Sequence, residues 1–143
     1  MAYAVRADIE AIFGVKNVKT WGDLDNDEVS GDITARVNES LIEAQAIVES
    51  VLRDGPYAIP FVDPIPQLIK SVTARLAGVW LYECRAIDDA PPDSQPDSRI
   101  GGHRKRAMDF LMALRSGAVR LDDDTAAVAI PFVQKVVIVD TLK

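Results

Sequence analysis

Apolar residues recur along most of this chain at intervals of three and four, the spacing that places them on one face of an α-helix. A glycine stands at or just beyond the end of most of these periodic segments, as is typical of helix C-termini. The third segment has the widest apolar face and is predicted to be the central helix. The predicted helices cover residues 6–13, 31–53, 66–87 and 100–116.

Polar or proline-rich stretches separate the predicted helices. Residues 17–32 are polar and acidic, and we predict a turn region there. Residues 55–66 contain four prolines, whose fixed φ and missing N–H exclude a helix, so this connection should be extended. Residues 88–98 are acidic and rich in proline, which predicts a solvated loop. A brief strand is compatible with residues 118–121.

The C-terminal segment, residues 122–143, differs from the rest of the chain. It begins with three aspartates and continues into a run rich in β-branched residues, which favour strand pairing over helix. Burial of each such apolar side chain contributes roughly 1.5–3 kcal/mol. We predict an extended, β-forming arm that either contacts another subunit or closes a small sheet within its own fold. Its expected contact residues are Ile130, Phe132, Val133, Val136, Val137, Ile138 and Val139.

The fold class that follows is mainly α, a four-helix bundle-like domain over residues 1–121 with the short β-forming arm over residues 122–143. The chain has 143 residues, of which 27% are charged and 48% hydrophobic, as expected for one folded domain. No apolar run approaches the roughly 18 residues of a membrane span, so we expect no membrane contact. Cys84 is the only cysteine, which excludes an internal disulfide.

Basic residues gather near the start of the last predicted helix. Positive charge at a helix N-terminus costs about 0.3–1 kcal/mol per exposed charge, which suggests a use for the cluster. Contact with phosphate or with an acidic partner is one interpretation, and neutralisation by the acidic loop before the helix is the other. The net charge of −6 argues against a broad basic footprint for nucleic acid. The candidate contact residues are Arg99, Arg104, Lys105 and Arg106, next to His103.

The remaining candidate chemistry is weak. Asp23, Asp25 and Asp27 have the spacing that opens a calcium loop, but Glu28 occupies the position that requires glycine, so we expect a solvated acidic turn. His103 is the only histidine and lies in a basic stretch. The sequence has no glycine-rich phosphate loop, nucleophile elbow or Cys/His metal spacing. We therefore expect a protein that is not an enzyme and that needs no cofactor or metal.

Several short motifs follow one another over roughly residues 2–121. They are Tyr3-Ala4, Arg6, Asp8-Ile9, Phe13-Gly14, the Asp-rich turn, Tyr57-Ala58-Ile59-Pro60, Asp63-Pro64, Arg75-Leu76-Ala77, Leu81-Tyr82, Ala107, Leu111, Gly117 and Leu121. Their order and spacing resemble a family of Mu-like phage and prophage proteins of unknown function. That family is similar to the head–tail connector, or head-completion, adaptors of tailed phages. Val5 departs from the family pattern, which has a capping threonine at this position.

The resemblance implies a structural virion protein that forms a ring, commonly of twelve copies, between the portal and the stopper or tail. Such a protein is made in the bacterial host cytoplasm and ends in the virion neck. Its partners would be other copies of itself, the portal protein, head-closure or tail proteins, and DNA that passes through the lumen without sequence-specific binding. An acidic lumen suits such passage because like charges prevent tight phosphate contacts. The arm would then contact the portal or a neighbouring subunit.

Two other classes of function remain open from the sequence. A small phage DNA-binding or DNA-packaging subunit would use the basic cluster from Arg99 to Arg106. An intracellular regulator would instead dimerise through its long helices. Salt-dependent DNA binding would favour the first of these classes, and a dimer in place of a ring would favour the second.

Overall fold

The computed structural model describes residues 2–86 and 98–121, with Ala86, Ser98 and Arg99 described by their backbone alone. The predicted arm, with its contact residues from Ile130 to Val139, lies outside the described residues. The described part is helical and contains no strand, so the mainly α prediction is confirmed. Its five helices are α1 (Arg6–Phe13), α2 (Val15–Gly22), α3 (Ser30–Leu52), α4 (Gln67–Ala86) and α5 (Ser98–Ser116).

Helix α2 corrects the predicted count of four helices, because it lies largely within the stretch that was predicted as a polar turn. Gly14 separates it from α1 with φ +96°, a conformation that glycine adopts without steric cost. The eight residues of α2 bury only Val18 and Gly22, too few for a periodic pattern. The brief strand considered for residues 118–121 is absent: Ala118 and Val119 form a bend after α5, and the next two residues have no regular structure.

Helix α1 begins at Arg6 although the preceding Val5 has no hydroxyl to cap it. The Val5 N–H donates to Oδ2 of Asp8 at 2.8 Å, and the Asp8 N–H donates to the Val5 carbonyl at 2.9 Å. Asp8 therefore supplies the half of a capping box in which the third helical residue binds the N-cap N–H, while the half that needs an N-cap side chain is missing. The Asp8 carboxylate also lies where the helix dipole favours negative charge.

Helix α4 is the central helix, as predicted, and contacts each of the other four. Arg36, near the start of α3, lies over the ring of Trp80 near the end of α4 at 4.7 Å. Gly55, just after α3, lies against Arg115 near the end of α5, where an added Cβ would be 3.2 Å from the Arg115 Cα. Helices α3 and α5 therefore run in the same direction, antiparallel to α4.

Phe13 joins four helices at a point where α4 has no side chain. A Cβ on Gly78 would lie 2.1 Å from Cε2 of Phe13, so the phenyl ring occupies the space that Gly78 leaves. The ring also meets Trp21 of α2 edge-on at 5.4 Å and His103 of α5 at 4.8 Å. The short helices α1 and α2 are thereby fixed to the α4–α5 pair.

Two tyrosines hold the connection between α3 and α4. The buried Tyr3 hydroxyl accepts a hydrogen bond from the Phe61 N–H at 2.8 Å. The Tyr57 hydroxyl accepts one from the Leu121 N–H at 3.1 Å. Both the N-terminal segment and the end of the described C-terminal part therefore contact this loop, in which the Ile59–Pro60 and Asp63–Pro64 peptide bonds are cis.

Candidate functional site

The basic cluster predicted from the sequence is divided between different sides of α5. Arg104, Lys105 and Arg106 are all exposed, but consecutive helix residues point about 100° apart. They therefore cannot all contact one flat partner. Arg99 lies in the first turn of α5, and its side chain is outside the described part of the molecule.

Arg104 has a local partner, since its guanidinium forms an ion pair with Glu83 of α4. Both side chains are substantially exposed, and such surface pairs contribute about 0–1 kcal/mol. One counter-charge of the cluster is therefore on α4, and the acidic loop before α5, which the sequence suggested as the other source, lies outside the described residues. Within the described residues, Lys105 and Arg106 form no hydrogen bond or ion pair.

His103 is a hydrogen-bond acceptor beside this cluster. Arg75 of α4 donates from Nη1 to Nδ1 of His103 at 2.6 Å. Because an arginine can only donate, Nδ1 has no proton and the neutral ring has its proton on Nε2. Burial lowers the pKa of His103 below the usual 6.5, and the charges of Arg75 and Arg106 lower it further. Arg75 was not predicted as a site residue, and only the packing of α4 on α5 brings it to His103.

Arg75, His103 and Arg106 form an arrangement that could attract an anion or an acidic surface. Neither Arg75 nor Arg106 can orient an imidazole as a carboxylate does in nucleophile–base pairs. Cys84 is partly buried. Among residues 2–86 and 98–121, no group of three His, Cys, Asp or Glu side chains could hold a metal ion. Nor does any helix in those two ranges have the length and apolar character to cross a membrane.

A second surface feature is a shallow groove along the outer side of α3, with a volume of about 540 Å³. It is lined by Ala2, Asn38, Ile42 and Ala46, among others. The side chain of Ile42 is 69% exposed, although it lies in the middle of a 23-residue helix. The sequence predicted the buried face of α3 but did not single out this exposed isoleucine.

The family model for bacteriophage Mu Gp36 matches residues 3–137. The chain belongs to the bacteriophage Mu Gp36 family. The resemblance to Mu-like phage proteins is therefore confirmed, and the match extends beyond Leu121, where the similarity found in the sequence ended. No curated protein matches the chain.

In the acidic turn of this Gp36-family protein, two of the three aspartates accept main-chain hydrogen bonds. The two carboxylate oxygens of Asp23 accept the N–H groups of Asp27 and Glu28, each at 3.2 Å. Asp27 in turn accepts the Val29 N–H at 3.1 Å, one residue before α3 begins. Asn26 and Glu28 both have positive φ, which such short polar bonds help to stabilise. These carboxylates hold the turn and the entry to α3.

Arg85, near the end of α4, fixes the same turn of the Gp36-family fold from the other side. It donates to the carbonyl oxygens of Thr20 and Asp23 and, at 2.6 Å, to Oδ1 of Asn26. The partners lie 59 to 65 residues away in the sequence, so no local pattern could have revealed Arg85. The α2–α3 turn is therefore fixed by tertiary hydrogen bonds as well as by its own local ones.

Proposed function

We propose that this Gp36-family protein is a structural component of the virion, a head–tail connector adaptor. It would form a ring between the portal and the stopper or tail and would extend the DNA channel. The observation that carries the proposal is the family match over residues 3–137, which makes the chain a phage protein. The resemblance to connector adaptors supplies the finer role, including the ring of twelve copies and the position in the virion neck.

The small helical body is compatible with a building block. Several large apolar side chains are more than half exposed in the described part of the chain, as expected where other subunits cover them. The clearest examples are Val15, Ile42, Val62 and Met112. They lie on three helices and on the α3–α4 loop.

The arm supports the same role from its sequence. Leu121, the last described residue, lies beside the α3–α4 loop, where its N–H donates to the Tyr57 hydroxyl. We propose that Ile130, Phe132, Val133 and the valine-rich run from Val136 to Val139 contact the portal or a neighbouring subunit. Main-chain pairing with a sheet edge and apolar anchors would supply the affinity.

Deletion of the gene from its phage or prophage tests the proposed role. We expect heads that package DNA but fail to join tails, and we expect the protein supplied in trans to restore infectious particles. Electron microscopy of the particles is the measurement. Unfilled heads would contradict the adaptor role and favour a packaging role.

A direct binding experiment tests the proposed partner. The protein is mixed with the portal protein of the same phage and imaged, and rings of this chain bound to the portal are expected. A variant that ends after Asp124 should keep its helical circular dichroism and lose portal binding. Normal binding by this variant would contradict the role of the arm.

One observation favours the alternative of a DNA-binding or DNA-packaging subunit. Lys105 and Arg106 are exposed and unpaired within the part that the structure describes, and could contact phosphates. If the protein binds DNA through these residues, the gel shift should weaken steeply as the salt concentration rises. It should be lost in the double variant with Lys105→Glu and Arg106→Glu. Reversal of the exposed Arg53, at the end of α3, is the matched control. DNA binding that is absent at low salt would exclude the alternative.

A further inference from the structure

The outer side of α3 carries an acidic strip with an apolar centre. We define the acidic strip as Asp32, Glu39, Ile42 and Glu43, which lie opposite the buried face of α3 and are exposed. Glu39 pairs with Arg36 at 3.2 Å, whereas Asp32 and Glu43 form no hydrogen bond or ion pair with the described residues. Within the described residues, the carboxylate of Glu43, next to the exposed Ile42, and that of Asp32, near the start of α3, are thus unneutralised.

The outer side of α5 carries a basic strip with a similar layout. We define the basic strip as Gly101, Arg104, Lys105 and Met112. Met112 is 51% exposed and lies two helical turns beyond Lys105. A Cβ added to Gly101 would have no atom within 4 Å, so the internal packing of the domain does not require a glycine there. The glycine leaves backbone open to close approach from outside.

The charges of the two helices are opposite. Helix α3 contains four acidic residues and one basic residue, whereas α5 contains five basic residues and one acidic residue. If the acidic strips of two copies met, Glu39 and Glu43 would lie near like charges. Two basic strips would repel each other in the same way. Pairing of unlike strips removes that repulsion and buries Ile42 and Met112 together.

We propose that the acidic strip of α3 in one copy packs against the basic strip of α5 in a second copy. Both helices are fixed in one core, so each chain presents the two strips to two different neighbours. Such a heterologous contact, when repeated, produces a ring or a filament and not a closed dimer. The inference rests on the proposed function, because it names the subunit contact of the adaptor ring.

Cysteine cross-linking tests the predicted pairing. In a Cys84→Ser background, a chain with both Glu43→Cys and Lys105→Cys should give a ladder of covalent oligomers with a short bismaleimide reagent. Either substitution alone should leave monomers. The matched control carries Lys19→Cys, at an exposed position of α2, together with Lys105→Cys, and should give no ladder. The measurement is made on the free protein and again with portal protein added.

Two outcomes would overturn this contact. A dimer from one of the single-cysteine chains would show that like strips meet, and the absence of a ladder in both conditions would show that the strips do not meet. Each is distinct from failure of the proposed function, which is judged by portal binding and by the particles that the deletion phage produces. A ladder without portal binding would support the contact and contradict the adaptor role.

Charge reversal provides a second test that does not depend on the reagent. Glu43→Lys and Lys105→Glu should each weaken self-association about tenfold or more, because each places like charges together. Both changes in one chain should restore it, while Lys19→Glu should have no effect. Association is followed by mass photometry and the fold by circular dichroism. Failure of the double variant to recover, with its helicity intact, would contradict the pairing.

Discussion

Arg75 and His103 form a hydrogen bond of 2.6 Å that joins α4 to α5. The bond exists only while His103 is neutral, because a protonated imidazole has no lone pair to accept from a guanidinium. The ring also lies against Phe13, which fixes α1. A single proton on His103 therefore affects the packing of three helices.

The first prediction concerns acid stability. The folded state lowers the pKa of His103, so the unfolded chain binds more protons between that lowered pKa and the ordinary value of 6.5. The stabilisation from the neutral ring is complete above about pH 6.5 and decreases as pH falls below it. The melting temperature should fall over this range more steeply in the wild type than in His103→Asn. Equal slopes in the two proteins would rule out His103 as the source.

The second prediction concerns Gly78. Replacement by alanine places a Cβ in the phenyl ring of Phe13, which has little room to move between Trp21 and His103. We expect Gly78→Ala to lower the free energy of unfolding by about 1–3 kcal/mol, despite the better helix propensity of alanine.

The control for this prediction is Gly31→Ala, because a Cβ at Gly31 meets no atom within 4 Å. That change should stabilise α3 by up to about 1 kcal/mol. Denaturant unfolding measures both variants. A neutral or stabilising effect of Gly78→Ala would show that the ring relocates at no cost.

The third prediction concerns the hold of Arg85 on the α2–α3 turn. Arg85→Met keeps an unbranched apolar stem but removes the guanidinium and its bonds to Thr20, Asp23 and Asn26. We expect a loss of about 1–2 kcal/mol in unfolding free energy, since these bonds involve a charged donor but are largely exposed. Faster amide exchange confined to the turn should accompany it. Arg53→Met is the comparison, and similar exchange in both variants would argue against the specific role of Arg85.

The fourth prediction concerns the buried Tyr3 hydroxyl. Tyr3→Phe leaves the Phe61 N–H without its acceptor in a buried position, which should cost about 1–3 kcal/mol. Tyr57→Phe should lower the free energy of unfolding by less, because the Leu121 N–H that donates to Tyr57 is only partly buried. Burial also raises the pKa of Tyr3 from the ordinary 10.0 to about 12, so the ionisation that is lost in Tyr3→Phe should occur well above pH 10 in an alkaline titration of the folded protein. A Tyr3 phenol that ionises near its ordinary pKa would contradict this burial.

The long helices followed from the sequence because each provides several turns of periodic apolar positions. Helix α2 was not predicted, because Gly14 is typical of a helix end and because two buried positions are too few to show a helical periodicity. The basic cluster was found as a run of charges, and its division between sides of α5 follows from helix geometry. The pairing of Arg104 with Glu83 is evident only once α5 is packed on α4. The bond from Arg75 to His103 spans 28 residues and depends on that placement.

The acidic turn shows a different limit of sequence interpretation. Alternating aspartates indicate only an acidic segment, and the spacing cannot say whether the oxygens will meet a cation, water or backbone N–H groups. In the structure Asp23 and Asp27 accept main-chain N–H groups, and Arg85 closes the turn from a distant helix. The sequence therefore predicts that the turn is acidic, but only the folded structure shows which groups its carboxylates bind.

The bond between Tyr57 and Leu121 gives the domain a second route for mechanical load. Tension on the backbone at Leu121 passes covalently through Arg120 towards α5, and the hydrogen bond to Tyr57 transmits a share of it to the α3–α4 loop. In that loop the Phe61 ring lies beside Tyr57 and the Phe61 N–H donates to the Tyr3 hydroxyl, while the Tyr3 N–H donates to Gln45 in the middle of α3. Part of a load applied at Leu121 thus reaches the longest of the described helices, along the same side that bears Ile42.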